Sequence, residues 1–353
     1  MKKKICLVLP SLNVGGMERV MTELAEYFTV KKGIETHLIV MTRSEHFYSA
    51  NTNVILHQPS FVFNIKYRTY YNLKTILFLR RTVKRLKPNA ILSFGETYNS
   101  FVLLATLWLG SKVFVSDRSK PDKSWGNFHE ALRKILYPRS FGIVAQTQFS
   151  KTFVHSITGH QNIRVIPNPI RSFPVQVTKK EKIILSVGRL ISTKRIDILL
   201  DVFSKLDNRE WQLWIVGDGP RRETLEQLAK ELKISDRVKF WGSQKELKQF
   251  YSVASVFAFT SVSEGFPNVL LEAMSAGLAC ISFNCVAGPS DIIEDGVNGL
   301  LIPELDAKEY QIKLQQLVND DLLCKNLSAE ALKRTKTFHI DIIGEQYLNF
   351  LLS

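Results

Sequence analysis

Ser263-Glu264-Gly265-Phe266-Pro267-Asn268-Val269-Leu270-Leu271-Glu272 places two glutamates with seven residues between them. From Glu264 to Asp291 the only other charged residue is Glu272, in a stretch rich in Phe, Val, Leu, Ala, Ile and Cys. An ionised carboxylate in such surroundings requires polar partners. Proline suits the first helical position, where its missing N–H costs nothing, so the stretch predicts a turn over Ser263–Phe266 and a helix over Pro267–Ala276. Helical side chains lean toward the N-terminus, so Glu272 points back to the amides of Asn268 and Val269. Amides and dipole together favour an anion there. A ligand with a central diphosphate and hydroxyls at both ends, the layout of a nucleotide sugar, would satisfy all three groups. The blander reading, a surface-turn glutamate and a solvated helix glutamate, is weakened by the charge-free surroundings and the Gly-Phe-Pro turn.

On either side of this stretch, short apolar runs alternate with longer amphipathic ones, the pattern of βαβ units and parallel sheets. Ile183–Val187, Gln212–Val216, Val238–Phe240, Val256–Phe259 and Ala279–Phe283 read as strands, with Leu225–Leu232 among the helices. Ile5–Leu9, Thr36–Val40, Ala90–Phe94, Val113–Ser116 and Gly142–Ala145 repeat the pattern upstream. The fold class is therefore α/β, with two Rossmann-like doubly wound domains. A chain of 353 residues also exceeds the roughly 250–300 at which single cores stop growing. Proline and polar residues from Asn168 to Glu181 mark a linker. The expected boundaries are 1–168, a linker at 169–181, 182–335, and a terminal segment at 336–353. Ligands of such sheets bind outside the carboxyl ends of the strands, so two facing domains imply a cleft.

Two further constellations lie at strand ends. Ser186-Val187-Gly188-Arg189-Leu190 leaves a strand, with Lys194 and Arg195 following. Glycine allows close approach of a ligand to the backbone, and the cations can offset phosphate charge. Merely solvated basic residues at a strand end are the plainer reading of this pattern alone. Asn13-Val14-Gly15-Gly16-Met17-Glu18-Arg19 follows the first strand and opens a helix, as a phosphate or sugar loop would. It matches neither GxGxxG nor the Walker pattern, and a tight strand-to-helix turn explains it equally well.

Taken together, these pieces resemble the family 4 retaining glycosyltransferases, whose E-x7-E motif Glu264–Glu272 matches. In the family's order come Gly15-Gly16, Val187-Gly188-Arg189 with Lys194, Val216-Gly217-Asp218-Gly219-Pro220, Phe240-Trp241-Gly242, the glutamates, and Asp295-Gly296-Val297-Asn298-Gly299-Leu300-Leu301. The resemblance covers nearly the whole chain and implies the GT-B fold, with the donor mainly on the second domain. It implies a last helix, about Ile342–Leu352, crossing back to the first. Carried over by position, Arg189 and Lys194 hold the donor diphosphate, Glu264 a sugar hydroxyl and Glu272 the ribose hydroxyls. Gly15 and Gly16 close on the donor from the opposite domain. Gly188, Gly217, Gly242, Gly265, Phe266, Pro267, Asn268 and Val269 complete the donor set.

The same resemblance implies retention without cofactor or divalent metal, and the sequence has no D-x-D triplet. Arg189 and Lys194 then stabilise the leaving group. Many members carry a histidine where this chain reads Ser116-Asp117-Arg118-Ser119, and Arg118 is the residue carried over toward sugar or acceptor. The activity implied is transfer of a hexose or N-acetylhexosamine from a UDP-sugar, UDP being favoured over GDP by resemblance alone. The other reading is a catalytically silent nucleotide-sugar or anionic-lipid binding protein.

Charge is unevenly spread. Residues 1–170 hold 24 Lys/Arg against 9 Asp/Glu, and residues 171–353 hold 23 against 24. No acidic residue separates Glu45 from Glu96, whereas Lys66–Lys87 carries Lys66, Arg68, Lys74, Arg80, Arg81, Lys84, Arg85 and Lys87 among tyrosines and leucines. Pro88 stops this helix. A basic helix of that kind suits an anionic membrane surface, where a glycan on a polyprenyl-diphosphate carrier would lie. A core helix with a solvated basic face is the plainer alternative, and no recognisable RNA or DNA module supports nucleic-acid binding. No apolar run approaches the roughly 20 residues that span a bilayer. The basic start followed by Ile5–Leu9 is interrupted too early for a signal peptide. A cytoplasmic protein, peripheral on the inner face of the membrane, is expected. Cys6, Cys280, Cys285 and Cys324 lack CxxC spacing and read as buried thiols, not as metal ligands.

Overall fold

The computed structural model describes residues 2–13, 15–43, 53–170 and 180–353. Val14 of the glycine turn and most of the expected linker, 171–179, lie outside them. The chain forms two compact units, Met1–Pro169 with Ile340–Ser353, and Ile170–His339.

The first unit contains β1 (Lys3–Leu9), β2 (Ile34–Val40), β3 (Ile55–His57), β4 (Ala90–Phe94), β5 (Val113–Ser116), β6 (Gly142–Ala145) and β7 (Ile163–Val165). Its helices are α1 (Gly16–Thr29), α2 (Arg68–Leu86), α3 (Glu96–Thr106), α4 (Asn127–Leu136) and α5 (Gln148–Thr158). The second contains β8 (Glu181–Val187), β9 (Gln212–Val216), β10 (Val238–Gly242), β11 (Ala254–Phe259), β12 (Ala279–Asn284) and β13 (Leu300–Pro303). Between and after these run α6 (Ile196–Ser204), α7 (Arg222–Glu231), α8 (Lys248–Val253), α9 (Asn268–Ser275), α10 (Pro289–Ile292), α11 (Ala307–Asn319) and α12 (Asp321–Thr335). α13 (Ile340–Leu351) belongs to the first unit.

Strand order is β3-β2-β1-β4-β5-β6-β7 in one sheet and β10-β9-β8-β11-β12-β13 in the other. Every pair of neighbouring strands is parallel. Parallel strands are covered on both faces, which explains their unbroken apolar runs. In β1, Ile5, Leu7 and Leu9 join a core with α1 and α13, whereas Cys6 and Val8 join the core beneath α2 and α3. In both sheets the strand order reverses near the middle, between β1 and β4 and between β8 and β11, and the carboxyl edge there is the ligand position of doubly wound sheets.

α13 returns to the first unit from Ile340, later than residue 336, because Lys336–Phe338 forms a 3-10 turn and His339 bridges Ile170 within the second. Its register rests on Gly344, where a Cβ would meet the Tyr27 ring at 2.4 Å. The Tyr27 hydroxyl then donates to the Asp341 carbonyl at 3.0 Å. The helix expected over Pro267–Ala276 spans Asn268–Ser275 with Pro267 as its N-cap. Proline's fixed φ is accommodated one position outside the helix.

Candidate functional site

In the second unit the loops leaving β8 and β11 meet at the switch point. Ser192–Lys194 forms a 3-10 turn closed by Arg195 in left-handed backbone, φ 48°. Thr260 Oγ1 donates to the Lys194 carbonyl at 2.8 Å, and the Val262 amide donates to the Thr193 carbonyl at 2.9 Å. This lacing directs the Lys194 ammonium onto Glu264, to which it donates a hydrogen bond. Both side chains are largely buried, so their charges interact through less water than a surface pair. Arg189, on the same loop as Lys194, is exposed.

Glycines hold these loops together. Gly217 lies with φ +137°, and a Cβ there would meet the Gly188 carbonyl oxygen at 1.9 Å. Its amide donates to the Gly242 carbonyl at 2.8 Å. Gly188, Gly217 and Gly242, expected at the donor, thus form one backbone-to-backbone contact that shapes the loops after β8, β9 and β10.

Glu272 is 2% exposed and accepts a hydrogen bond from the Tyr251 hydroxyl at 3.0 Å. The solvated-helix alternative is thereby corrected: α9 packs between β11 and β12, and a tyrosine from α8 provides the polar partner that burial requires. Of the two amides expected at the start of α9, Asn268's donates to the Phe266 carbonyl at 3.0 Å, which leaves Val269 as the candidate anion donor. Phe266 and Pro267 are buried, and Gly265 is half-buried beside Glu264. Tyr251 escaped the sequence reading because 21 residues separate it from Glu272. Cys285 is buried, as expected of it. Its thiol follows β12, is pushed up to about 12 by burial, and feels the Glu264 carboxylate.

The first unit presents different chemistry at its own carboxyl edge. At Gly15 a Cβ would meet Glu18 Oε2 at 2.2 Å, so a carboxylate already occupies the start of α1 beside Gly15 and Gly16. Burial raises the Glu18 pKa. Arg118 faces inward: its guanidinium lies 3.2 Å over the Phe94 ring and donates to Asn168 Oδ1 at 2.6 Å and the Tyr347 hydroxyl at 3.0 Å. Those contacts tie β5 to the end of the first long segment and to α13 at the residue carried over toward sugar or acceptor. Glu96 accepts the backbone amides of Arg118 at 2.9 Å and Ser119 at 2.6 Å. Burial, and then repulsion from Asp117, raises the Glu96 pKa.

Along α2, Tyr70, Leu73, Leu77, Arg81 and Lys84 are all exposed and spaced three or four apart, one stripe down the helix. Lys74, Arg81 and Arg85 line a groove of about 710 Å³ with Gln58, Ser60 and Phe61. Arg68 borders a separate cavity of about 300 Å³ with Thr42, Phe63, Asn72 and Tyr98. Lys66 is exposed just ahead of the helix. Half-buried Arg80 donates from Nη1 to the carbonyls of Ala105 at 3.1 Å and Leu107 at 2.9 Å at the end of α3. Among the described residues no helix is long and apolar enough to cross a membrane, and no His, Cys, Asp and Glu cluster is arranged to hold a metal.

Two parallel doubly wound sheets, the second with a lysine–glutamate pair at its switch point, define a glycosyltransferase of the GT-B type. The model for "Glycosyl transferases group 1" matches residues 169–334 and that for "Glycosyltransferase Family 4" matches residues 14–172. The chain belongs to the family 4 glycosyltransferases. It is 28% identical, over 99% of its length and 98% of the relative's, to the Campylobacter jejuni GalNAc-alpha-(1->4)-GalNAc-alpha-(1->3)-diNAcBac-PP-undecaprenol alpha-1,4-N-acetyl-D-galactosaminyltransferase. Among solved structures, a lipopolysaccharide outer core galactosyltransferase superposes with TM-score 0.81 at 24% identity, covering 98% of both chains. Anabaena HepE in complex with UDP superposes with TM-score 0.83 at 17% identity over 99% of both. At those identities the likeness is one of fold.

Proposed function

We propose that the protein transfers a hexose or N-acetylhexosamine, with retention, from a UDP-sugar to a glycan on a polyprenyl diphosphate in bacterial surface polysaccharide or lipid-linked oligosaccharide assembly. The observation that carries this reading is the Lys194–Glu264 pair at the switch point of the second sheet. As the bond between sugar and diphosphate breaks, negative charge grows on the departing nucleotide. Lys194 and Arg189 stabilise it, a role that needs no divalent metal. Glu264 accepts a hydrogen bond from a sugar hydroxyl, and Glu272, steadied by Tyr251, accepts from the ribose. Relatives support the substrates, one named for an undecaprenyl-diphosphate acceptor and one solved with UDP.

The acceptor side is assigned to the first unit. The α2 stripe sets Tyr70, Leu73 and Leu77 between the cations Lys66, Arg81 and Lys84, the composition of a helix lying in a membrane interface. Basic side chains there contribute about 1 kcal/mol each against anionic lipid. The protein is thereby peripheral on the inner face of the membrane.

UDP release, measured across a panel of UDP- and GDP-sugars with and without a lipid-diphosphate acceptor, tests the reading. Acceptor-dependent release is expected with a UDP-sugar. Glu264→Ala and Lys194→Ala are expected to lose about 100-fold or more in turnover while remaining folded. Full turnover by either variant would overturn the assigned roles, and donor binding without acceptor-dependent release would indicate a silent binding protein.

A further inference from the structure

The turn after α3 carries a side chain that the fold does not use. Leu107 has φ −50° and ψ 131°, Trp108 has φ +59°, and the Leu109 amide donates to the Thr106 carbonyl at 3.0 Å. This is a type II turn with tryptophan at the position whose positive φ ordinarily calls for glycine or asparagine. Bulky residues are genuine outliers in that region. Packing does not repay the strain, because Trp108 is 92% exposed. A strained backbone that presents a large aromatic ring to the outside invites a functional reading.

The neighbourhood supplies the occupant. Arg80 of α2 donates to the carbonyls of Ala105 and Leu107, so the turn is fastened to the flank of α2 beside the exposed stripe. Arg81 and Lys84 follow on that stripe and are themselves exposed. Cations beside a protruding indole match an anionic bilayer, in whose interface amphipathic tryptophan rings settle. At the opposite end of α2, Ile65 is 79% exposed and Tyr67 65%. Nineteen helical residues separate these ends, roughly 28 Å at 1.5 Å per residue.

We propose that Trp108 is a bilayer anchor that holds the C-terminal end of α2 against an anionic membrane, so that the helix lies flat between two apolar contact points. This rests on the reading of α2 as a membrane contact and adds the residue that fixes its attitude.

The test is co-sedimentation of the full chain with vesicles of phosphatidylcholine plus phosphatidylglycerol, against phosphatidylcholine alone, with thermal midpoints measured in parallel. Trp108→Gly is expected to bind the mixed vesicles on the order of tenfold more weakly, the share of one buried aromatic ring. Its thermal midpoint should match or exceed that of the wild type, because glycine suits the turn. Trp108→Phe should retain most of the affinity. Unchanged binding by Trp108→Gly, alongside loss on reversing Arg81 and Lys84, would overturn the anchor and leave the α2 reading standing. Unchanged binding by both variants would overturn both. A lowered midpoint for Trp108→Gly would show that the indole packs within the fold, and self-association lost in that variant without any change in vesicle affinity would assign the ring to a second copy. Either result would overturn the anchor.

Discussion

Gly217 shows how little room the loops after β8 and β9 leave. A methyl group there would lie 1.9 Å from the Gly188 oxygen, with φ already at +137°. Gly217→Ala should therefore lower stability by about 2–4 kcal/mol, since backbone must move against backbone, and a urea midpoint indistinguishable from wild type would refute the close contact. Tyr251→Phe acts on binding instead. Removing the hydroxyl that Glu272 accepts should raise KM for the nucleotide sugar several-fold with little change in kcat, because a ribose contact persists from ground state to transition state. A fall in kcat at constant KM would place Glu272 nearer the reacting centre. At this scale the sequence revealed the two glutamates and the lysine because strand ends and a charge-free stretch mark them. The partners of Arg118, Asn168 and Tyr347, stand 50 and 229 residues away, beyond the reach of any local pattern.

Among the elements, central strands and the edge strand β10 were legible, and the other three edges were not. β4, β5 and β6 are buried on both faces and carry the apolar runs that announce them, whereas β3, β7 and β13 are short strands at sheet edges. The price of overlooking β3 is its histidine. His57 Nε2 lies 3.0 Å from Nδ1 of the buried His37 on β2, whose Nε2 in turn lies 2.8 Å from Glu35 Oε1. Burial, then the charges of His37 and Arg85, lowers the His57 pKa to about 4. An unfolded histidine titrates near about 6.5. Between those values the unfolded chain binds more protons, so stability rises with pH. The contribution is complete above the unfolded value and disappears on acidification toward the folded one. Burial also lowers the His37 pKa, against the opposing pull of Glu35, which adds to the same trend. The loss should be on the order of 2 kcal/mol for the half-buried His57 ring. Urea midpoints of His57→Gln should vary less than those of the wild type across this window, and equal slopes would show that the pair does not titrate with folding.

At the scale of the whole molecule, charge is divided unequally between the two halves of the chain. Residues 1–170 carry 24 basic against 9 acidic residues, residues 171–353 carry 23 against 24, and the exposed cations of α2 belong to the first set. Electrostatic attachment through that unit should weaken as salt shortens the screening length to about 8 Å near physiological ionic strength. Reversing Lys66, Arg81, Lys84 and Arg85 to glutamate removes four attractions of about 1 kcal/mol each and adds as many repulsions, enough to reduce affinity for anionic vesicles by about 1000-fold or more. UDP binding should survive, because none of the four residues belongs to the unit that holds Lys194 and Glu264. Calorimetric titration with UDP beside vesicle co-sedimentation separates the two effects. Vesicle binding unaffected by the four reversals, or equally strong in high salt, would mean that α2 is a solvated basic face and that the protein meets its acceptor away from the lipid surface.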